Sequence, residues 1–413
     1  MCRVVVTGIG VVSPLGHDRE ATWHAVCDSA SGVGPITLFD ASAFPTRIAA
    51  EVKGWDPQRS IDRKVRRFLS RGADFIVHAA DMAWRDAALT KKYLRGLTVG
   101  VVCAHSGSRP HPSDVAWLCQ GRRQGVDWAK VSPLETVRGS NHTVSTILAS
   151  RFSADGPNLA LSTACASGTQ ALGLGMRMIR DGEADVVLAG GGDSMISPFD
   201  VLAFCAIGAL STRNSEPQKA SRPFDLERDG FVLGEGAAML MLERRDRAEA
   251  RHASIYGELR GYGASLNAYR VTDSPPDGRG PAMAMASALT DAALSPDDVG
   301  YINAHGTSTR DNDSSETAAI KRVFAGRAYS VPVSSTKGST GHLISGAGAI
   351  EAAFCLLALR DDVLPPTANL GVPDPACDLD YLPCAAARRR VDACLSNSFG
   401  FGGTNASLVM TRV

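Results

Sequence analysis

The chain has 413 residues, of which 44% are hydrophobic and 21% are charged, a composition typical of globular proteins with a substantial core. Lysine plus arginine and aspartate plus glutamate each number 43, so the formal net charge is zero and general nucleic-acid binding is disfavoured. Glycine or charge interrupts every apolar run well before 18 residues, which predicts no membrane-spanning helix.

Short apolar segments alternate with amphipathic ones along the whole chain. This alternation predicts an α/β layered fold rather than a β-sandwich or a helical bundle. The predicted strands are 4–8, 98–103, 158–162, 185–189, 237–242, 299–304, 331–335, 394–397 and 406–410. The predicted helices are 66–88, 143–151, 169–180, 281–293, 314–324 and 347–360.

The two halves of the chain resemble each other in outline. Each contains a strand, a turn of small residues, a helix and a Gly-rich closing segment, which is 230–243 in the first half and 399–410 in the second. The pattern predicts a duplication, with one domain at residues 1–250 and the other at residues 251–413. A cysteine in the first domain would then meet histidines of the second at their interface.

That cysteine is Cys165, in the octamer Leu161-Ser-Thr-Ala-Cys-Ala-Ser-Gly168 between a predicted strand and a predicted helix. A helix N-terminus favours an anion, so we expect the thiolate, which is the nucleophilic form, to be stabilised there. The alternative is a buried small hydrophobic side chain, the usual state of a free cysteine. None of the ten cysteines forms a C-x-x-C pair and no signal-peptide pattern begins the chain, which predicts reduced thiols in a cytoplasmic protein.

Two histidines lie in turns of similar composition, and these turns favour a catalytic cysteine. His305 is in Asn303-Ala-His-Gly-Thr-Ser-Thr309, and His342 ends Ser334-Ser-Thr-Lys-Gly-Ser-Thr-Gly-His342. One histidine could act as a general base beside the cysteine, as in a cysteine protease. Two neutral imidazoles could instead hold a carbonyl oxygen as it becomes an enolate, which decarboxylation of a malonyl thioester requires. Lys337 is either a solvated surface charge or a group that tunes the histidines.

The Gly-rich segment Phe399-Gly-Phe-Gly-Gly-Thr-Asn405 forms the fourth motif. It is not a P-loop, because no helix follows it and no lysine ends it. It is either a tight hairpin or a moving loop whose phenylalanine closes a pocket. In the second case a backbone N–H of the loop could join that of Cys165 in an oxyanion hole.

These four motifs together resemble the β-ketoacyl-acyl-carrier-protein synthases, the decarboxylating condensing enzymes of the thiolase fold, and are most similar to the synthase II type. The resemblance also includes Val4-Val-Val-Thr-Gly-Ile-Gly-Val-Val-Ser-Pro-Leu-Gly16 and Ser221-Arg-Pro-Phe-Asp-Leu-Glu-Arg-Asp-Gly-Phe-Val-Leu-Gly-Glu235. Thiolases would have a second catalytic cysteine, and the synthase III type would have asparagine in place of His342. The resemblance implies duplicated βαβαβαββ halves in a five-layer α-β-α-β-α architecture.

The resemblance also implies a role for each catalytic residue. Cys165 would take an acyl chain from an acyl carrier protein, with the backbone N–H groups of Cys165 and Phe401 holding the oxyanion. His305 and His342 would bind the malonyl thioester and promote loss of carbon dioxide, and the released chain would be two carbons longer. Lys337, near Glu351, would organise the site, and Phe401 would gate its malonyl side.

Further residues match positions of the family that bind substrate. Those implied to contact the pantetheine arm or the acyl chain are Thr272, Thr307, Thr309, Phe399 and Ser108. Carrier proteins are acidic, so a basic entrance is expected. Its candidates, each of which could also be part of a plain solvated surface, are Arg63, Lys64, Arg66, Arg67, Lys130 and Arg213. No cofactor beyond the carrier's arm and no metal is required, although a monovalent cation site of the family would fall near Asn303, Ala304, Glu351, Ser396 and Asn397.

Some segments depart from the fatty-acid enzymes. Ser106-Gly-Ser-Arg-Pro-His-Pro112 replaces a Gly-rich, Ile-containing segment, so that Ser108 and Arg109 make the floor of the acyl pocket more polar or bulkier. Arg310 replaces a usual proline. Asn312-Asp-Ser-Ser-Glu-Thr-Ala-Ala319 is similar to ketosynthases of type II polyketide systems. Fatty-acyl elongation and a polyketide or polyene ketosynthase both stay open. A chain-length partner without activity is disfavoured by Cys165, and a coenzyme A-dependent thiolase by the missing second cysteine. The fold implies a dimer, either of identical chains or with a chain-length-factor-like chain.

Overall fold

The computed structural model describes residues 2–56, 61–109, 133–270 and 274–413. Lys130 and Thr272 therefore lie outside the described residues. The strands are β1 (Val4–Val12), β2 (Gly34–Pro35), β3 (Ile48–Ala49), β4 (Val99–Ala104), β5 (Asn158–Leu161), β6 (Val186–Asp193), β7 (Gly236–Arg244), β8 (Gly257–Leu266), β9 (Tyr301–Asn303), β10 (Val333–Ser334), β11 (Val363–Leu364), β12 (Ala387–Arg388), β13 (Ala393–Phe399) and β14 (Thr404–Thr411).

The α-helices alternate with these strands, as the sequence predicts. They are Arg19–Cys27, Arg63–Arg66, Arg71–Asp86, Pro133–Gly139, His142–Phe152, Ser167–Arg180, Pro198–Ala206, Arg245–Ala250, Arg279–Ala292, Arg310–Phe324, Lys337–Thr340 and Ala347–Asp361. No helix of the described ranges is both long enough and apolar enough to cross a bilayer.

One mixed sheet contains ten of the strands, in the order β10-β9-β13-β14-β8-β1-β7-β6-β4-β5. The order repeats between the two halves of the sequence. In the first half β7 pairs antiparallel with β1 and with β6, while β4 pairs parallel with β6 and with β5. In the second half β14 pairs antiparallel with β8 and with β13, while β9 pairs parallel with β13 and with β10. β1 and β8 join the halves through short pairing over Val4–Val6. The repeated order and directions are the pattern that a duplicated fold produces.

Helices separate and cover the two sheet halves. Ser167–Arg180 and Ala347–Asp361 lie between them, because each contacts strands of both halves. All residues from Ala347 to Leu359 are buried, as expected of a helix enclosed on every side. The outer faces are covered by Arg71–Asp86 and His142–Phe152 on one half and by Arg279–Ala292 and Arg310–Phe324 on the other. Five layers, α-β-α-β-α, result.

The long strand β8 is not predicted from the sequence, and its glycines explain why. Glycine has a low β propensity, so Gly261 and Gly263 weaken the strand pattern. In the fold both glycines face the helix Arg279–Ala292. A Cβ atom at Gly261 would lie 2.2 Å from the carbonyl oxygen of Ala288, and one at Gly263 would lie 2.2 Å from that of Ala284. The glycines therefore allow close packing of the helix on the strand.

The predicted helix 66–88 is wrong at its N-terminal end. Residues Arg63–Arg66 form a separate short helix, and the long helix begins only at Arg71. Ser70 is the N-cap of the long helix, since its hydroxyl oxygen accepts the backbone N–H of Ala73 at 3.3 Å. The chain changes direction at this cap, so that Arg63, Lys64 and Arg66 lie on a short helix separate from the long one.

Candidate active site

Cys165 lies in a strained turn between β5 and the helix Ser167–Arg180, and only 2% of its surface is exposed. Ala164 adopts a φ of 52°, which costs a residue with a Cβ about 1–2 kcal/mol. Ser167 stabilises this turn, because its Oγ accepts the Thr163 N–H at 2.7 Å and its hydroxyl donates to the Ala164 carbonyl at 2.6 Å. The turn holds the sulfur at the N-terminal end of the helix.

Cys165, His305 and His342 come together between the two halves of the fold. Their sulfur and ring nitrogen atoms lie within 4.8 Å of one another. His342 Nε2 is 3.0 Å from Cys165 Sγ, and the two imidazole ring centres are 5.3 Å apart. A zinc ion could bind three such ligands, but the nearby ammonium group of Lys337 opposes a divalent cation. The arrangement therefore favours chemistry by the side chains themselves.

Backbone contacts determine which nitrogen of His342 carries the proton. The N–H of Ile344 donates to Nδ1 at 3.2 Å, so the neutral ring carries its hydrogen on Nε2, facing Cys165. Burial, with a smaller contribution from Lys337, lowers the pKa of His342 and that of His305 well below 6.5. Both rings are therefore neutral N–H donors at neutral pH.

Lys337 is buried, with 1% of its surface exposed, and is not a solvated surface charge. Its Nζ donates to the His305 carbonyl at 2.6 Å, lies 3.3 Å from His305 Nδ1 and bonds the Glu351 carboxyl group. Burial raises the pKa of Glu351 to about 7, against the opposing effect of Lys337. The ammonium group thus donates a hydrogen bond to Nδ1 of His305, so the neutral ring carries its hydrogen on Nε2 and donates from there.

The backbone N–H groups of Cys165 and Phe401 both bond to the Cys165 sulfur. Burial raises the pKa of Cys165 to about 11, although Lys337 and these two N–H groups act in the opposite direction. The expectation of a stabilised thiolate is therefore wrong for the free protein, because desolvation of the buried sulfur outweighs the helix N-terminus. The two N–H groups nevertheless converge on one point, as an oxyanion hole requires.

Alkylation of Cys165 by iodoacetamide should accelerate about tenfold per pH unit between pH 7 and pH 10. The thiolate is the reactive form, and its fraction rises with pH when the pKa of the thiol is about 11. Peptide mass spectrometry would measure the rate at Cys165, with the exposed Cys384 as an internal reference for reagent activity. A protease-like ion pair with histidine would instead give a rate that is already constant near pH 7.

A cavity of about 380 Å³ contains the three side chains. Of the predicted substrate-binding residues, Thr307, Thr309 and Phe399 line it, as does the predicted gate Phe401. Phe401 begins a tight turn in which Gly402 and Gly403 have φ of 84° and 79°, values that favour glycine. Ser108 does not line this cavity, since its hydroxyl donates instead to the Arg109 carbonyl at an exposed position.

Seven buried side-chain oxygens have no hydrogen-bond partner among the described residues, and three of the seven belong to the predicted cation site. These three are Oδ1 of Asn303, Oε2 of Glu351 and Oγ of Ser396. Asn303 and Ser396 are paired across β9 and β13. Each unsatisfied buried oxygen costs about 1–3 kcal/mol, and neutral and charged oxygen ligands suit a hard cation. These residues therefore fit a monovalent ion.

The side chain of Asn397 does not take part in that set. Its amide donates to Glu316 Oε1 at 3.1 Å, and its oxygen accepts the Ser407 hydroxyl at 2.8 Å. Neighbouring residues of a strand point to opposite faces, so Asn397 faces away from Ser396. The predicted contribution of Asn397 is thereby limited to its backbone carbonyl, as is that of Ala304.

The basic residues predicted at the entrance fall into two groups. Those on or just after the short helix Arg63–Arg66 have no ion-pair partner among the described residues: Arg63, Lys64, Arg66 and Arg67. Arg213 differs, because Glu227 and Glu216 lie 3.5 Å and 3.6 Å from its guanidinium group. Its charge is largely compensated, and Arg66 interacts with the buried Asp74, so Arg63, Lys64 and Arg67 offer the uncompensated positive charge.

Two buried carboxylates hold the His305 turn, and the sequence analysis gives them no role although both lie in the segment 312–319. Glu316 accepts the backbone N–H groups of His305 and Gly306 at 2.9 Å and 2.8 Å, and Asp313 accepts that of Thr307 at 2.9 Å. The two acids are three residues apart on one helix and so share a face. An acidic pair with this spacing directly after a Gly/Ser/Thr turn is the signal that could have found them.

Family membership follows from the motifs together with full-length matches. Residues 1–248 match the N-terminal domain, and residues 256–371 the C-terminal domain, of beta-ketoacyl synthases. The chain belongs to the beta-ketoacyl synthase family. It is therefore a condensing acyltransferase.

Relatives of this synthase include both 3-oxoacyl-acyl-carrier-protein synthases and polyketide ketosynthases. It is 44% identical to 3-oxoacyl-acyl-carrier-protein synthase 2 of Coxiella burnetii, with 100% of this chain and 99% of that protein covered. It is 41% identical to the tetracenomycin polyketide synthase ketoacyl synthase alpha subunit of Streptomyces glaucescens, with 99% and 97% covered. The ishigamide ketosynthase/chain length factor superposes with a TM-score of 0.90 at 34% identity, with 100% and 99% covered. Together with the repeated strand order, this likeness confirms the predicted thiolase fold.

Proposed function

We propose that this synthase extends an acyl chain held on Cys165 by two carbons taken from malonyl-acyl-carrier protein. The observation that carries the proposal is that Cys165 and two neutral imidazoles share a single cavity, with their sulfur and ring nitrogen atoms within 4.8 Å of one another. A nucleophile alone would suit many acyl transfers. The neutral N–H donors add the means to stabilise an enolate, which a condensing reaction requires.

Transfer of the acyl chain uses the cysteine and the loop that contains Phe401. The sulfur attacks the thioester carbonyl, the bond to the pantetheine sulfur breaks, and the cysteine proton ends on that sulfur. The N–H groups of Cys165 and Phe401 donate to the developing oxyanion, because both already point to the sulfur position. The fixed orientation of these two N–H groups stabilises the transition state and so compensates for the small thiolate fraction that the high pKa of Cys165 allows.

Condensation uses the two histidines. The malonyl thioester oxygen accepts Nε2–H of His305 and His342, the carbon–carbon bond to the carboxylate breaks, and carbon dioxide leaves. The enolate carbon then attacks the acyl-Cys165 carbonyl, the bond from that carbon to the Cys165 sulfur breaks, and the released thiolate takes one proton from water. Burial, with a smaller contribution from Lys337, keeps both imidazoles neutral, so that each can donate its N–H to the malonyl oxygen. A cation held by Asn303, Glu351 and Ser396 would supply only charge compensation beside this site.

The surface around the site fits the predicted partners. The uncompensated charges of Arg63, Lys64 and Arg67 suit an acidic carrier protein, whose arm is then the only cofactor. At the sheet edge, β5 exposes residues such as Leu159, so we propose that a second chain covers this edge. The described cysteines are free, which is consistent with a reducing cytoplasm.

A ketosynthase of a type II polyketide or polyene pathway is the second candidate. It is favoured by the full-length similarity to the tetracenomycin alpha subunit and to a ketosynthase/chain length factor pair. In that case the chain at the β5 edge would be a chain-length factor rather than a second copy. The catalytic steps are the same in both candidates.

Intact-protein mass spectrometry tests the reaction and separates the two pathways. The protein is incubated with carrier-protein thioesters of different acyl lengths and then with malonyl carrier protein. We expect an acyl adduct on the enzyme, followed by a β-ketoacyl product two carbons longer. Activity of the isolated chain on saturated acyl groups would favour fatty-acyl elongation. Activity only in the presence of a chain-length factor would favour the polyketide pathway, and no adduct under either condition would contradict the proposal.

A further inference from the structure

We propose that a buried pair, His105 and Asp193, is a positioning unit that holds His342 in its catalytic orientation. The inference rests on the proposed function, because it assigns the pair to the condensation step. His105 lies at the end of β4 and Asp193 ends β6, and His105 Nδ1 is 3.0 Å from Asp193 Oδ1. Neither side chain lines the catalytic cavity.

Every acceptor position of the Asp193 carboxylate is occupied. Oδ1 lies 3.0 Å from His105 Nδ1 and accepts the backbone N–H of Ser106 at 3.0 Å. Oδ2 accepts the hydroxyl of Ser106 at 2.8 Å and the backbone N–H of Ser345 at 3.0 Å. Burial alone would raise the pKa of Asp193, but these bonds lower it below its ordinary value. A fully buried charge therefore persists at this position because four donors surround it.

One of those donors belongs to the turn that sets His342. Ser345 directly follows Ile344, whose N–H bonds His342 Nδ1. Ile344 has a φ of 48°, a conformation that a β-branched residue rarely adopts, and such strain persists only where neighbouring contacts enforce it. Asp193 supplies that contact by holding the Ser345 N–H, and the Ser106 hydroxyl lies 2.8 Å from the Ser345 hydroxyl as a second one.

The proton position on His342 therefore depends on the pair. If the turn relaxes, the Ile344 N–H leaves Nδ1, and the neutral ring can carry its hydrogen on either nitrogen. The Nδ1–H form presents no donor to the malonyl oxygen. Acyl transfer to Cys165 depends on backbone N–H groups of Cys165 and Phe401 and is not affected in the same way.

The variant Asp193→Asn tests this dependence directly. An amide has one oxygen, so its NH2 group must face either the His105 side or the Ser345 side, and each side presents a backbone N–H that the NH2 group cannot accept. His105→Asn and His105→Leu form a second pair of similar size that leaves the carboxylate in place. Asparagine can retain a donor near the position of Nδ1, whereas leucine removes it.

Two readouts separate positioning from general structural support. Nitrogen-15 spectra of histidine-labelled protein report the tautomer of His342, whose signal is assigned by its absence in His342→Asn. Rapid-mixing mass spectrometry reports acylation of Cys165 and condensation as separate rates. For Asp193→Asn and His105→Leu we expect a mixed tautomer, condensation slowed by about tenfold or more, and acylation within about threefold of wild type. His105→Asn should behave as the wild type.

Glu243→Gln is the matched control, because Glu243 is also a buried carboxylate. It bonds to Arg251 and Tyr93, and none of these three residues lines the catalytic cavity. The proposal is overturned if Asp193→Asn keeps the Nε2–H tautomer and the wild-type condensation rate. It is also overturned if both rates fall equally in Asp193→Asn and Glu243→Gln. If Asp193→Asn fails to fold, the two His105 variants decide. The tautomer readout needs no turnover, so it remains decisive even if the proposed condensation is not observed.

Discussion

Replacing Cys165 with alanine should abolish transfer of the acyl chain to the enzyme while leaving decarboxylation of malonyl carrier protein in place. The sulfur is the nucleophile of the first step, so we expect a loss of about 10³-fold or more in acylation. Decarboxylation depends on N–H groups of His305 and His342, which alanine does not remove. Intact-protein mass would follow the adduct, and release of labelled carbon dioxide would follow decarboxylation.

Cys103→Ala is the control for this substitution. Cys103 is also fully buried and lies on β4, outside the catalytic cavity, so its loss should change neither rate by more than about threefold. An acyl adduct on the Cys165→Ala protein would show that another residue is the nucleophile. Loss of both activities in Cys165→Ala, at an unchanged melting temperature, would show that the two steps are not separable as proposed.

The fold could be predicted from the sequence where one segment alone decides its structure. The apolar strands and amphipathic helices of both halves have their own periodicity, so the α/β alternation is correct. The strand β8 could not be predicted in this way. Its glycines weaken the strand pattern, and the reason for them is the helix Arg279–Ala292, which is distant in sequence and packs closely on them. The break before Arg71 likewise depends on one cap, Ser70, within a continuous helical pattern.

The site shows the same limit. Cys165, His305 and His342 stand out locally, because reactive residues in turns of small residues are unusual. The electrostatics of these residues cannot be read from the sequence in the same way. The sequence shows the helix N-terminus beside Cys165, but it does not show the desolvation that raises the pKa of Cys165. The tautomer of His342 depends on a single backbone N–H from a turn with a strained Ile344. Such through-space effects require the three-dimensional structure.

His342 should tolerate no substitution that removes the donor at Nε2. The variant His342→Asn places an oxygen near the position of Nδ1, where it can accept the Ile344 N–H, but has nothing at the position of Nε2. We expect condensation and decarboxylation to fall by about 10²–10³-fold, the usual cost of one lost donor to a developing oxyanion. His342→Gln places an amide donor near Nε2, so it should retain more decarboxylation than His342→Asn. Acylation of Cys165 should change by less than about tenfold in either variant.

His78→Asn is the matched control. His78 is a half-buried histidine on the outer helix Arg71–Asp86, and its ring packs against that of Trp55. It should leave both rates unchanged. Labelled carbon dioxide release and adduct mass, measured on the same samples, give the ratio of the two steps. If His342→Asn decarboxylated as fast as the wild type, the malonyl oxygen would have to be held by His305 alone. The proximity of His342 Nε2 to Cys165 Sγ would then serve acyl transfer, and acylation would be the step that the substitution slows.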